Sequence, residues 1–159
     1  MKKTLIKEIA ILGIFLLTIS ACSSDGKIDP SAITITVSFS DRIAKIWNPG
    51  SVKEDGFAVF ANSAATNTKP GYTKFKLDLS SKSSVKITEY DGNTFTGVWS
   101  ISPDEKTLTL SNLTPEPSGT GGIISFDINE LTASILRITR NTLNKKTGAT
   151  KTEYQLTNP

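Results

Sequence analysis

Histidine is absent from this chain of 159 residues, and cysteine occurs only once, at Cys22. Without histidine, the chain cannot use Ser-His-Asp or Cys-His nucleophile systems, a histidine general base or the common zinc sites that contain histidine. Without a second cysteine, it cannot close an internal disulfide, so the fold must depend on burial and backbone hydrogen bonding. We therefore expect no metal, no cofactor and no enzyme activity, with a carboxylate-based hydrolase as the one catalytic alternative.

The chain also has little net charge once its N-terminal segment is set aside. The overall charge is +3, and three lysines against one glutamate in the first 21 residues supply +2 of it. Residues 22–159 therefore carry only +1. A run of lysine or arginine interleaved with aromatic residues is typical of nucleic-acid-binding proteins, and this chain has no such run. We predict no nucleic-acid partner.

The N-terminal segment has the layout of a bacterial secretory signal. A basic start is followed by an apolar run from Ile9 to about Ile19, and then by small residues and Cys22. The apolar run is shorter than the roughly 20 residues that a transmembrane helix needs. We predict a signal peptide over residues 1–21. One alternative is an ordinary secretory signal that is cut after Ala21, with Cys22 playing no part.

The last four residues of this segment, Ile19 to Cys22, resemble the lipobox of bacterial lipoproteins. An aliphatic residue at Ile19 suits a lipobox better than an ordinary cleavage site. In that family the cysteine thiol takes a diacylglyceryl group, the chain is cut before the cysteine, and the new amine is acylated. The resemblance implies lipidation at Cys22, with palmitate-type chains, and the membrane as a partner. It also implies a place in the cell envelope, and Ser23 favours the outer membrane, with the leaflet left open.

The remainder of the chain divides into a tether and one domain. Residues 22–40 comprise the lipidated cysteine, a polar tether rich in Ser, Gly and Pro, and a lead-in strand at 33–39 whose membership of the main sheet is left open. Residues 41–159 are long enough for one domain with its own core. Here short alternating runs of β-branched and aromatic residues are separated by turn residues, which is typical of an all-β fold. The predicted strands are 43–53, 56–61, 72–79, 85–90, 94–101, 106–113, 123–129, 133–141 and 150–157.

The connections between these strands are mostly short, which favours an antiparallel meander. In the clearest hairpins, Gly92 supplies the positive φ of a tight turn, and Pro103 stands second in the turn from Ser102 to Glu105. A long series of strands must close or expose an edge, so we predict an up-and-down β-barrel of about eight strands. A two-sheet sandwich is the alternative.

The stretch from Asp91 to Leu110 resembles the lipocalin-like domain of small Bacteroidetes lipoproteins. In that family a Gly-x-Trp strand leads through an Asp-Gly-Lys turn to Thr-Leu-Thr-Leu. Gly97 and Trp99 match the strand, and Asp104 and Lys106 match the turn, but Glu105 replaces the usual turn glycine. Further similarity lies at residues 46–56 and 128–136. The resemblance implies a lipocalin-like barrel and, by analogy with true lipocalins, a small apolar or amphipathic ligand.

Four aromatic residues are candidates for contact with such a ligand because they are predicted to point into the barrel: Phe75, Phe95, Trp99 and Phe126. Each is equally interpretable as core, and for Trp99 we favour the core. Two carboxylate pairs, Glu54-Asp55 and Asp104-Glu105, lie beside turns, where solvated acids are common, so we assign no catalytic or metal residue. Two functions remain: a carrier of a small apolar ligand, or a filled barrel that docks to an envelope protein or glycan.

Overall fold

The computed structural model describes residues 36–158. The predicted signal peptide, Cys22 and the tether up to residue 35 lie outside the described residues, so the lipidation of Cys22 stays a prediction. Nine antiparallel strands make up most of the described chain. They are β1 (Ile46–Glu54), β2 (Phe57–Ala61), β3 (Lys76–Asp78), β4 (Val85–Thr88), β5 (Thr94–Ile101), β6 (Thr107–Thr114), β7 (Ile124–Leu131), β8 (Ile135–Arg140) and β9 (Thr152–Thr157).

The strands form a closed barrel. Strands β3 to β9 pair in sequence, and β1 pairs with both β3 and β9, which closes a ring of eight strands. The ninth strand, β2, forms a hairpin with the second half of β1 and pairs with no other strand. The prediction of an up-and-down barrel is therefore confirmed, and the two-sheet sandwich is excluded. Because β1 pairs along both of its edges, the ring of eight strands does not expose the unpaired backbone N–H and C=O groups that an open meander would.

Three predicted strands contain helical residues, and in the predicted strand 43–53 this residue is Ile43, which ends a short helix. In the lead-in strand 33–39, residues 36–38 have no regular structure and Phe39 begins α1 (Phe39–Ile43). The Ser38 side chain accepts a hydrogen bond from the backbone N–H of Asp41 at 3.1 Å, and serine favours this N-cap geometry over a strand. In the predicted strand 72–79, Pro70 opens a 3₁₀-helix that runs to Lys74, so only Lys76–Asp78 form a strand.

The two ends of the barrel differ. Because the strands alternate in direction, the start of β1 and the ends of β3, β5, β7 and β9 lie at one end, which we call the α1 end. Here Trp47 is fully buried and its indole N–H donates to the Ile43 carbonyl at 2.9 Å, so helix and tryptophan close the barrel. The opposite end, which we call the far end, is formed by the turn 55–56 and by residues 62–75, 89–93, 115–123 and 141–151.

The interior between the two ends is filled by alternate side chains of every strand. Leu77, Ile87, Leu108, Leu110 and Leu136 are each no more than 1% exposed. Alternation of this kind places one set of side chains inside and the other in solvent, as the sequence pattern predicted. A single apolar cluster results, and each of the nine strands contributes at least one residue to it.

Candidate functional site

Three of the four candidate aromatic residues lie in this filled interior. Phe75, Phe95 and Phe126 are 3%, 4% and 1% exposed. Phe75 stacks on Tyr154 with ring centroids 4.9 Å apart, and Phe126 meets the same tyrosine edge-on at 6.0 Å. Phe75 and Phe126 therefore each have an aromatic partner inside the barrel. Their role as ligand contacts stays a prediction, and their packing is that of core residues.

Trp99 lies apart from these phenylalanines, at the α1 end of β5. It is half-buried, and its indole N–H donates to the Ser81 carbonyl at 2.7 Å. Four other apolar side chains are partly buried on the same cluster at this end of the barrel: Phe39, Ile101, Ile128 and Leu131. The α1 end therefore has a more exposed apolar rim than the middle of the barrel.

A buried carboxylate at the far end carries the first of two polar networks. Glu54, 7% exposed, accepts a hydrogen bond from the Tyr72 hydroxyl at 2.5 Å and forms an ion pair with Lys69. Burial raises the pKa of Tyr72, and the nearby Tyr154 and Glu54 raise it further. Tyr72 is therefore a neutral donor that satisfies the Glu54 carboxylate, and the pair ties the end of β1 to the 3₁₀-helix.

The second network surrounds Glu89, which is also buried. Arg140 approaches one Glu89 oxygen at 3.4 Å, and Lys146 approaches the other at 2.6 Å. Lys146 also pairs with Asp91 at 2.8 Å and lies over the Phe95 ring, 4.9 Å from its centroid. Burial opposes the charge of Lys146, but hydrogen bonds with Asp91 and Glu89 outweigh it and raise the lysine pKa. These ion pairs fasten the loop 141–151 across the far end.

Asp55 and Asp104, one from each predicted carboxylate pair, stabilise turns by accepting hydrogen bonds. Asp55 accepts hydrogen bonds from the backbone N–H groups of Thr150 and Lys151 at 3.1 and 2.9 Å. Asp104 accepts from the Ser102 hydroxyl at 2.5 Å and from the Lys106 N–H at 3.2 Å. Within residues 36–158, no group of three or more His, Cys, Asp or Glu side chains is arranged to hold a metal ion.

One depression lies on the outside of the barrel. It has a volume of about 440 Å³ and crosses β1, β9, β8 and β7. Its outward-facing and rim residues, which we call the outer groove, are Ser51, Lys53, Asn129, Arg137, Thr139, Lys151, Glu153 and Gln155. The two interior residues beneath it, Ile138 and Tyr154, are 1% and 5% exposed.

Irregular pairing shapes the outer groove. The register of β1 shifts against β9 between Pro49 and Ser51, and the register of β7 shifts against β8 between Ile128 and Glu130. Asn129 is the extra residue of the second bulge, and its side chain accepts a hydrogen bond from Thr139 at 2.7 Å. Bulges bend a strand and increase its twist, so these two create a hollow where a regular barrel is convex.

The outer groove is polar and has a cationic rim. Arg137 pairs with Glu130 at 2.9 Å, and Lys151 pairs with Glu153 at 2.5 Å. A hydrogen bond from Lys151 and the charges of Lys151 and Lys53 lower the pKa of Glu153. Lys53 is exposed and forms no ion pair with any residue from 36 to 158. The groove therefore presents three cations, each with a carboxylate nearby: Glu153 lies opposite Lys53 and pairs with Lys151, and Glu130 pairs with Arg137.

A second, smaller depression of about 150 Å³ lies on the outer face of β3, β4 and β5, among Lys76, Asp78, Lys86, Thr88 and Thr94. Both of these depressions lie on the outer surface of the barrel, and none of the four candidate aromatic residues lines either of them.

Sequence reasoning missed the outer groove and both far-end networks. The signal for the groove residues was their alternation with buried neighbours on β8 and β9, which marks them as outward-facing. Their meeting depends on the pairing of β1 with β9, whose residues are about a hundred positions apart. The far-end acids Glu54 and Glu89 gave no signal of burial, because an acid next to a turn is ordinarily solvated.

Comparisons with known proteins find similarity only to solved structures. No family model matches the chain, and no curated protein matches it. A lipocalin-like protein from Bacteroides uniformis ATCC 8492 is similar in structure, with a TM-score of 0.46 and 17% identity over 74% of this chain and 99% of that one. An uncharacterized protein from Bacteroides eggerthii DSM 20697 gives a TM-score of 0.43 and 15% identity over 73% of this chain and 98% of that one.

Both alignments run over nearly the whole length of the similar protein, and the first of these proteins is described as lipocalin-like. Residues 36–158 contain no helix that is long and apolar enough to cross a membrane. The closed barrel itself rests on the strand pairing of this chain, in which β1 joins β9.

Proposed function

We propose that this chain is an envelope lipoprotein, anchored through Cys22, whose filled barrel serves as a rigid docking module. In this proposal the outer surface of the barrel, and not its interior, meets the partner. The partner is an envelope protein or a glycan. The observation that carries the proposal is the contrast between a closed, filled interior and an open, polar outer groove. Groups held on paired strands are well suited to such a role because their positions are fixed before binding.

The docking proposal is tested by crosslinking in the native envelope. A diazirine-bearing residue is placed at position 137, in the outer groove, and in a matched protein at position 106, in an exposed turn at the α1 end. We expect a reproducible crosslinked product from position 137 that the control at position 106 does not give. Products of equal yield from both positions, or none from position 137, contradict docking at the groove.

The anchoring proposal has its own test. Mass spectrometry of the N-terminal peptide is expected to find Cys22 as the first residue, carrying acyl chains. The Cys22→Ser variant is expected to leave the membrane fraction, because several acyl chains at about 0.8 kcal/mol per buried methylene are what hold such a protein. Normal membrane fractionation of Cys22→Ser contradicts the anchor without bearing on the docking surface.

A second function, carriage of a small apolar ligand, has one observation in its favour: the partly buried apolar rim at the α1 end, which includes Trp99. In this alternative, α1 and Trp99 move to admit the ligand. Native mass spectrometry of the protein, purified from its own cells in mild detergent, distinguishes the two functions. A stoichiometric small molecule that Trp99→Ala removes supports carriage, and a ligand-free mass supports docking.

A further inference from the structure

The outer groove combines a cationic rim with neutral hydrogen-bonding groups that are free to bind. The Gln155 side chain and the Ser51 hydroxyl form no hydrogen bond with any residue from 36 to 158, although both are half-buried. They are held opposite each other, because Ser51 and Gln155 are register partners across β1 and β9. Lys53 is next on the same outer face of β1, about 7 Å along the strand; it forms no ion pair within residues 36–158, and its register partner is Glu153.

The chemistry of these groups favours a sugar over a protein surface. The centre of a protein–protein interface is normally rich in aromatic and other apolar side chains and poor in charge. The outer groove has no exposed apolar side chain, since its two apolar members, Ile138 and Tyr154, are buried beneath it. An amide and a hydroxyl can each donate and accept, which matches the hydroxyl groups of a sugar, and a free ammonium matches a carboxylate.

We infer that the outer groove binds an acidic oligosaccharide, a chain of sugars that carries carboxylates. A carboxylate pairs with Lys53, while neighbouring sugar hydroxyls bond to Gln155 and Ser51. Lys151 and Arg137 form the rim on either side, and their charges are partly held by Glu153 and Glu130. The inference rests on the proposed docking role of the outer surface and names the class of its partner. The volume of about 440 Å³ lies within the range of small-ligand sites, roughly 300–1,000 Å³.

The test measures binding of oligogalacturonate, the acidic probe, to the full chain in detergent micelles by titration calorimetry. Maltooligosaccharide of equal length is the neutral probe, and an oligo-aspartate peptide is the acidic probe that lacks sugar. We expect oligogalacturonate to bind and maltooligosaccharide not to bind. We expect Lys53→Gln to weaken binding on the order of tenfold, the effect of losing one charge-assisted hydrogen bond. Gln155→Ala is expected to weaken it by a smaller factor.

The matched control is Lys86→Gln, an exposed lysine on the outer face of β4, which is expected to leave the affinity unchanged. Equal loss in Lys86→Gln would reduce the effect to general electrostatic attraction and overturn the inference. Binding of oligo-aspartate as tight as that of oligogalacturonate, with no effect of Gln155→Ala, would point to an acidic protein partner and overturn it as well.

The two proposals fail in different ways. If no acidic sugar binds but position 137 still crosslinks in the envelope, the sugar is wrong and the docking surface remains. If position 137 gives no product and the purified protein carries a small apolar molecule, the docking function itself is wrong.

Discussion

Glu105 occupies a turn position whose backbone conformation is unfavourable for a residue with a side chain. Its φ is +59°, in the left-handed region, where a side chain costs roughly 1–2 kcal/mol. The backbone N–H of Glu105 bonds to the Ser102 carbonyl at 2.9 Å, so the turn predicted from Pro103 is formed despite this cost. The family that the sequence resembles has glycine at this position, and the backbone geometry explains why glycine suits it.

We expect Glu105→Gly to stabilise the protein, because glycine adopts positive φ without the steric penalty. The expected increase in the free energy of unfolding is about 0.5–1 kcal/mol, since glycine also adds entropy to the unfolded chain. Urea denaturation measures it. Lys106→Gly, one residue further on in the same turn with an ordinary φ, is the control and is expected to lose stability. A loss in Glu105→Gly as well would contradict the account.

Asp55 gives a prediction about pH. Hydrogen bonds from Lys151 and Thr150 hold the pKa of this carboxyl below its usual value. A group whose pKa is lowered by folding stabilises the native state above its unfolded pKa, and that stabilisation is lost as the pH falls through the folded pKa. We therefore expect Asp55→Ala to be less stable than the parent at pH 7, and the difference to shrink below about pH 4. Thermal melts from pH 7 to pH 3 measure this, and a constant difference would contradict it.

At the scale of the element, Gly97 lies where the backbone of β6 comes close to β5. The register of β5 shifts against β6 between Thr96 and Val98. A Cβ atom at Gly97 would lie 2.4 Å from the Ser111 carbonyl oxygen and 3.1 Å from that of Asn112. Both are backbone atoms and cannot rotate away, so this position in the Gly-x-Trp sequence requires glycine for steric reasons.

We expect Gly97→Ala to destabilise the barrel by about 1–3 kcal/mol, because the two strands must separate to admit the methyl group. The change is measured as the free energy of unfolding in urea. Ser100→Ala, at an exposed position of the same strand, is the control and is expected to fall within about 0.5 kcal/mol of the parent. Equal stability of Gly97→Ala and the parent would show that β6 can move at no cost.

A second observation at this scale concerns the unpaired edge of β2. The loop that follows it covers the edge: Lys69 donates its backbone N–H to the Val59 carbonyl at 3.0 Å, and the Asn67 amide bonds to both the N–H and the C=O of Ala61. An edge satisfied in this way offers no template for another strand. The long polar loop 62–69 therefore protects the one strand that the barrel leaves out.

At the scale of the whole molecule, buried charges join segments that are distant in sequence. Glu89 follows β4, Arg140 ends β8 and Lys146 lies in the loop before β9, yet all three meet at the far end. Removing one partner of a buried ion pair leaves the other charge without compensation, which costs more than the pair itself contributes. The network therefore ties the loop 141–151 to the end of β4 and the turn that follows it.

We expect Glu89→Gln to lower the free energy of unfolding by about 3 kcal/mol, since the buried Arg140 loses its carboxylate and Lys146 keeps only Asp91. Glu130→Gln is the control, because its pair with Arg137 lies at the surface and is expected to contribute no more than about 1 kcal/mol. Adding Lys146→Met to Glu89→Gln is expected to recover part of the loss by removing a buried charge. Equal effects of Glu89→Gln and Glu130→Gln in urea denaturation would contradict the role of burial.

The sequence by itself determined the strands, most of the turns and the inward faces of the barrel, because these depend on local properties: period-two alternation, glycine and proline positions and side-chain size. Phe75, Phe95 and Phe126 were placed inside by alternation alone, and Gly92 adopts the positive φ that its turn required. The local signal failed where two local preferences compete, as at Phe39, where an N-cap serine and a short helix replace an alternating run.

Only the tertiary structure decided what the surface and the ends of the barrel present. Closure of β1 on β9 brings Lys53 and Ser51 beside Glu153 and Gln155, and two bulges turn that face into a groove. Burial of Glu54 and Glu89 likewise depends on loops that fold over them from distant positions. The alternation of residues along a strand determines which face of the sheet each side chain lies on. Its neighbours on that face depend on strand register and barrel closure, because both are set by hydrogen bonds between residues far apart in the chain.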